Sequence, residues 1–394
     1  MIQTIKNYIQ AHETEMIEMR RYLHQHPELA FEEFETTQFI AKELEQLGLS
    51  YRLMEPTGIM TEIQGAQPGK TVLLRADMDA LPIQELNDHL PYQSKNTGKM
   101  HACGHDAHVS MLMMALKALL AHQDQIIGTV RFIFQPAEEI GKGAKAMVAQ
   151  GVLESVDNAF GIHIWTVDEA GLVNCQPGPC FAAADRFHIQ FRGFGGHAAQ
   201  PHQTKDAVVM VSQYISQIQN IISRATDPME AAVLTVGKVD AGERFNIIAE
   251  NARIEGTVRT FDAATRDIVE SEMQHFAEKI AKLYGGSVKF EYTRLLEAVI
   301  NDEASAHLVQ NITKEAFGEN AVALLPATMG SEDFGEYTRY VGGAFATVGT
   351  RNTTKGSDFP HHHARFNVDE DTLKVGAELY AQYALAYLSG ATAE

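Results

Sequence analysis

TVLLR at residues 71–75 runs straight into Ala76-Asp77-Met78-Asp79, an apolar stretch that ends in carboxylates. Two later stretches repeat the design. TVRFIF (129–134) leads into Gln135-Pro136-Ala137-Glu138-Glu139, and AFGIHI (159–164) carries His163 near its end. Runs so continuously apolar suit strands buried on both faces, as in parallel sheets. Helical patterns lie between them, at Ala107 to Ala121 and Ala144 to Gln150. Strands alternating with helices predict an α/β fold with a central sheet flanked by helices. Outward from this core, helices are expected at Ile5 to His24 and Glu35 to Leu47. The pattern returns with AFATVG (344–349) and a final helix from Asp369 to Leu388. In open α/β sheets, ligands sit beyond the carboxyl ends of the strands. Any one of these acids could cap a helix or a turn, but as a set they read as a site.

The middle of the chain follows another order. FHIQFRG (187–193) is a strand, Asp206 to Ile222 a helix, and AAVLTVGKV (231–239) and ARIEGTVRTF (252–261) are strands. A long helix, Asp262 to Tyr284, and the strand SVKFEYT (287–293) complete a β-α-β-β-α-β unit, the split arrangement of a small α+β sandwich. Residues 186–294 are therefore expected to form an inserted domain. The outer domain is then discontinuous, drawn from residues 1–185 and 295–394.

A length of 394 residues with 45% hydrophobic content suits two cores and excludes a largely disordered chain. The 51 acidic against 32 basic residues leave a charge of -19, unsuited to nucleic acid or an anionic membrane. Three cysteines, Cys103, Cys175 and Cys180, make no disulfide framework. The N-terminal stretch lacks an apolar signal core, and no run is long and apolar enough to span a bilayer. A reduced, cytoplasmic setting is expected.

HACGHDAH (101–108) is the densest cluster of chemistry. Cys103 and His105 flank Gly104, which lets the backbone fold tightly enough to aim both at one point. Thiolate and neutral imidazole are good ligands for zinc, nickel, cobalt or manganese. A buried structural cysteine and a cysteine nucleophile with a histidine base are the alternatives. Adjacent glutamates are usually a solvated run, but Glu138-Glu139 follows an apolar strand. There, one carboxylate can bind a metal while its neighbour takes a proton from water. PHHHARF (360–366) adds three consecutive histidines.

RADMDALP (75–82), HACGHDAH, QPAEEIGKGA (135–144), GIHIW (161–165), GGHAAQPH (195–202), GSEDF (330–334) and HHARFNVDE (362–370) stand in order along the chain. In these motifs the sequence resembles the M20 metallopeptidase family. Within it, the closer similarity is to the amidohydrolase branch of aminoacylases, hippurate hydrolases and auxin-conjugate hydrolases. The resemblance implies a zinc-peptidase-like catalytic domain with a mixed central sheet and an inserted domain that acts as lid and dimer interface. It implies two divalent cations per subunit. Cys103 bridges them, His105 and His163 complete one ligand set, and Glu139 and His362 the other. His362 is taken from the triple, ahead of His361 and His363, because it stands four residues before Phe366, where the branch places its ligand. Ala364 stands where the branch often has proline. Many M20 enzymes carry His-x-Asp where this chain has Arg75-Ala76-Asp77. His105 then replaces the missing ligand, and Asp77 is expected to orient a ligand histidine.

The reaction implied is attack of water on an amide carbonyl. Glu138 is the general base, and His197 steadies the oxyanion from the partner subunit. Asn246 and Arg259 are expected to hold the substrate carboxylate, and Gly330 and Ser331 to line the pocket. The expected substrate is an N-acyl amino acid. A dipeptidase or carboxypeptidase on the same site and a non-catalytic metal-binding protein are the alternatives.

Overall fold

The computed structural model describes residues 2–390. The chain divides into two compact units. The larger takes the residues up to Cys180, Ile300–Pro326 and those from Asp333 onward; the smaller takes Phe181–Val299 and Ala327–Glu332.

The larger unit is built on a mixed sheet of eight strands. Its centre is four parallel neighbours, in the order Ile127–Gln135, Gln67–Asp77, Asn158–Glu169 and Gly342–Arg351. Ile59–Gln64 and Tyr51–Leu53 extend one side antiparallel, and the two-residue strands Val173–Asn174 and Val322–Ala323 close the other. Register brings the functional ends level. Asp77 pairs with Gln135, and Arg75 with Gly161, two residues before His163.

Pairing between Gln67–Asp77 and Asn158–Glu169 stops at Arg75 and Gly161. There the hydroxyl of Tyr380 donates to the Arg75 carbonyl at 2.6 Å and accepts from the Ile162 amide at 3.1 Å. A side chain from helix Leu373–Leu388 thus satisfies backbone groups that the parting strands leave behind. Helix His105–Leu120 is buried along almost its whole length, which its run of methionine, leucine and alanine permits.

Where Ile5 to His24 was expected as one helix, there are two, Ile2–Ala11 and Glu13–Gln25. The break falls at His12, whose ring Nδ1 lies 2.8 Å from the Tyr8 carbonyl. The apolar spacing continues across it through Ile5, Ile9, Met16 and Met19, so periodicity alone hides it. Helix Glu303–Phe317 was not foreseen, although it carries ordinary end signals. The Asp302 carboxylate accepts from the Ser305 amide at 2.9 Å, and Gly318 follows the last turn. No helix among the described residues is long and apolar enough to cross a membrane.

The smaller unit is a four-stranded antiparallel sheet in the order Ala232–Ala241, Asn251–Thr260, Ala183–Arg192, Ser287–Leu296. Helices Ala207–Asn220 and Ala263–Leu283 complete its core: Phe187, Ile189, Phe191, Ile254 and Val258 pack with Met210, Tyr214, Val269 and Met273. Aspartate caps start both helices, Asp206 and Asp262.

Replacing Tyr380 by Phe should strand the Arg75 carbonyl and the Ile162 amide in the interior. A loss of about 1–3 kcal/mol in urea unfolding is expected, and an unchanged midpoint would show that the hydroxyl bridge carries no weight.

Candidate active site

Asp79 organises the carboxyl end of the sheet. It is almost fully buried and cannot be solvated, so it needs donors. The amides of Glu138 and Glu139 each reach it at 3.0 Å, and His105 Nδ1 lies 3.2 Å away. The turn that delivers those two amides requires Ala137 in the left-handed region, at φ 56°. The Ala137 amide is held in turn by the buried carboxylate of Glu33 at 2.9 Å. Gly104 has φ 91°, and a Cβ there would sit 2.4 Å from Ile164 Cδ1, so only glycine fits between Cys103 and His105.

With Nδ1 committed to Asp79, His105 turns Nε2 inward, where that nitrogen is buried and makes no hydrogen bond. Glu139 Oε1 is likewise buried without a hydrogen bond, 3.9 Å from His105 Nε2. These orphans face a common space. Cys103, His105 and His163 bring one ligand atom each within 4.8 Å of one another, and so do Cys103, Glu139 and His362. Cys103 belongs to both groups. Its sulfur lies 3.4 Å from His163 Nε2, and His362 Nε2 lies 3.5 Å from Glu139 Oε2. His105, Glu138 and Glu139 form a further group of the same span.

Asp77, His105 and His108 also cluster. His108, however, has both nitrogens in use: Nδ1 on Asp77 at 2.5 Å, and Nε2 accepting from the Ile164 amide at 2.9 Å. Asp77 is further clamped by Arg75 at 2.6 Å, and Arg75 reaches on to Asp333 at 2.7 Å. Asp77 thus bonds His108 and also lies 3.8 Å from His105 Nε2. The carboxylate bonded to the second nitrogen of His105 is that of Asp79, and Asp77 steadies His108. Both aspartates stand in RADMDALP, two residues apart, and only the partners distinguish them.

The three histidines of 361–363 part company. His362 takes a left-handed backbone, φ 64°, with its amide on the Ala102 carbonyl at 2.8 Å, and turns its ring to Glu139. His361 points to Thr166 and Cys103, and His363 stacks on Phe359 and is exposed.

The electrostatics follow the crowding of acids. Burial opposes charge on His105, but Asp77, Asp79 and Glu139 raise it to about 10. Burial pushes Glu139 up to about 7, against the pull of His105. Burial, with His108 and His361 close by, holds His163 far below the usual range. An excess of carboxylates, a thiol and inward-facing imidazole nitrogens, that of His105 without a hydrogen bond, make a donor set suited to divalent cations.

In the smaller unit, His197 lies on Gly196–His197, which pairs with Ile247–Ile248, and the Ala198 amide donates to the Asn246 carbonyl at 3.2 Å. His197 and Asn246 are thus neighbours. Arg259 is half-buried on Asn251–Thr260, donating to Thr257 and to the Val258 carbonyl, and none of the described carboxylates lies within ion-pair distance of it. The Gly330 carbonyl accepts from the Ala182 amide at 2.9 Å, and Ser331 follows it, partly exposed.

A mixed α/β sheet thus brings acids, imidazoles and a thiol together at its strand ends, where they could hold divalent cations. Residues 73–386 match the peptidase family M20/M25/M40, and the chain belongs to that family, as an amidohydrolase. The N-acetyl-L-cysteine deacetylase of Bacillus subtilis is 40% identical over 362 residues, 92% of this chain and 85% of its own length. Thermostable carboxypeptidase 1 of Saccharolobus solfataricus is 36% identical over 393 residues, 98% of this chain and 99% of its own. The crystal structure of the Bacillus subtilis YXEP protein, a dinuclear metal binding peptidase from the M20 family, is 36% identical. It superposes with a TM-score of 0.85, covering 96% of this chain and 99% of its own.

Asp79→Asn should leave the chain folded but weaken metal binding about 10- to 100-fold, because His105 loses the acceptor that holds its orientation. Competition with a chromogenic chelator reads this directly, and an unaltered affinity would remove Asp79 from its central place.

Proposed function

We propose that the protein hydrolyses the amide bond of N-acyl amino acids, releasing a carboxylic acid and a free amino acid. One observation carries the reading: two ligand clusters share Cys103, with Glu138 beside them. Cys103, His105 and His163 are assigned to one cation, and Cys103, Glu139 and His362 to the other. The cations, manganese or zinc with nickel and cobalt as alternatives, when bound would polarise the carbonyl and acidify water at the site.

Glu138 takes the proton of the attacking water and returns it to the departing nitrogen. Its neighbour Glu139 is engaged as a ligand, and the bonds of both amides to Asp79 keep the two carboxylates from exchanging places. Asp77, through His108, fixes the wall behind His105 and His163.

Arg259 binds the carboxylate of the substrate, with Asn246 beside it. A half-buried guanidinium with no ion-pair partner among the described residues, and only the more distant charge of Asp185 to offset its burial, supports this assignment. His197 donates to the oxyanion from the partner subunit, and the smaller unit serves as lid and dimer interface. Gly330 and Ser331 line the pocket. A carboxypeptidase acting at the same centre is the second reading, supported by the likeness to thermostable carboxypeptidase 1.

A panel of acetyl-, benzoyl- and indoleacetyl-amino acids alongside dipeptides, run with each metal after chelation, separates the two readings. N-acyl amino acids should be turned over well ahead of dipeptides, and the reverse order would favour the peptidase. Glu138→Gln should keep its metal and lose about 10²- to 10⁴-fold in kcat; full turnover would discard the assigned base. Arg259→Ala should raise KM for N-acyl amino acids while sparing their carboxamides. For the dimer, mixing Glu138→Gln with His197→Ala subunits should restore activity that neither possesses alone.

A further inference from the structure

His361 lies against the cluster without belonging to the assigned ligands. Its ring is tilted against Trp165, with centroids 4.8 Å apart, and Phe366, at 5.0 Å, and meets His163 edge-on at 5.3 Å. The Thr166 backbone amide is directed at Nε2 over 3.2 Å. A backbone amide can only donate, so Nε2 must accept. In a neutral imidazole one nitrogen accepts and the other carries the proton, which places the proton on Nδ1. A doubly protonated ring would set N–H against N–H. Nδ1 lies 3.8 Å from the sulfur of Cys103, within reach of a long N–H···S bond, with the Cys103 backbone as the competing acceptor.

We propose that His361 donates its Nδ1 proton to the Cys103 sulfur, drawing charge from the thiolate and weakening its donation to the cations it would share. The inference rests on the reading of Cys103 as a ligand. His361 is a positioning residue that acts through Cys103. A thiolate lone pair engaged by a donor is less available to metal, and the cations stay more electrophilic. The backbone supplies the constraint: Thr166 follows Trp165 in the strand Asn158–Glu169, which also holds His163, so the amide that sets the tautomer is carried by the same strand as a ligand.

The test uses the full chain loaded with cobalt(II) alone, reading the thiolate-to-cobalt charge-transfer band. His361→Asn places an amide nitrogen near the position of Nδ1. His361→Gln places its amide near Nε2, and His361→Phe keeps only the ring. The Asn variant should hold the wild-type band position. The Gln and Phe variants should both move the band to longer wavelength, with a lower kcat at unchanged KM. If the ring served only to fill space, Phe would match wild type and Asn would depart most, which overturns the proposal. Should Phe fail to fold, the comparison of Asn with Gln still decides.

Nitrogen-15 shifts of the histidines in the unsubstituted, zinc-loaded protein give a check free of variants. His361 should show a protonated Nδ1 and a bare Nε2, and the opposite tautomer would overturn the hydrogen bond. A wild-type protein with no band that Cys103→Ser abolishes would instead overturn the ligand role of Cys103. A band present in wild type but unmoved in Gln and Phe would overturn only the role of His361.

Discussion

The buried carboxylate of Asp79 sets the geometry of the candidate site. Deprived of water, it must be satisfied by protein donors, and it takes two successive backbone amides and one imidazole nitrogen. Those bonds decide how the turn after strand Ile127–Gln135 runs, which way His105 faces, and why Ala137 accepts a left-handed backbone. The acid is itself no member of the assigned ligand sets. It sets the geometry of groups that are.

The same logic extends outward as a chain of paired charges. Asp77 is held by Arg75 and His108, and Asp333 by Arg75, by Gln135 at 2.9 Å and by the Ala144 amide at 2.9 Å. Behind His105, the Asp106 carboxylate meets Arg20 and the His24 ring, each at 2.8 Å, and His24 touches Glu85 at 3.2 Å. Burial and Arg20 oppose charge on His24, but two carboxylates keep its protonation favoured. Arg20 continues to Glu370 and Asn367, just beyond the loop that bears His362. Buried ion pairs of this kind add little net stability. Breaking one leaves a charge stranded, so they penalise any other arrangement. The loops around the centre are thereby held to one geometry.

How much of this could be read beforehand depended on whether the signal was local. Strands ending in acids, Cys103 next to Gly104 and His105, and paired glutamates after Pro136 are visible in a line of text. His12 ends a helix without disturbing its apolar spacing, and the polar alternation of Ile59–Gln64 is too short to stand out. Asp77 and Asp79 are two residues apart at one strand end, and nothing in their order says which meets His105 and which His108. In the sequence His361 stands only as a rival to His362 within the triple at 361–363. That it faces Cys103 and the Thr166 amide follows from the left-handed turn at His362, which separates the two rings.

The chain's order of apolar runs, capping residues and acid-bearing strand ends by itself determined the layered α/β architecture, the split sandwich of the smaller unit and the kinds of side chain available at the centre. Those properties depend on spacing and on burial along one strand or helix, which are local quantities. Partners were decided only in three dimensions. A buried carboxylate or imidazole selects among donors brought from distant segments by the need to replace lost water, and that competition is settled when the strands are in register and their ends packed together.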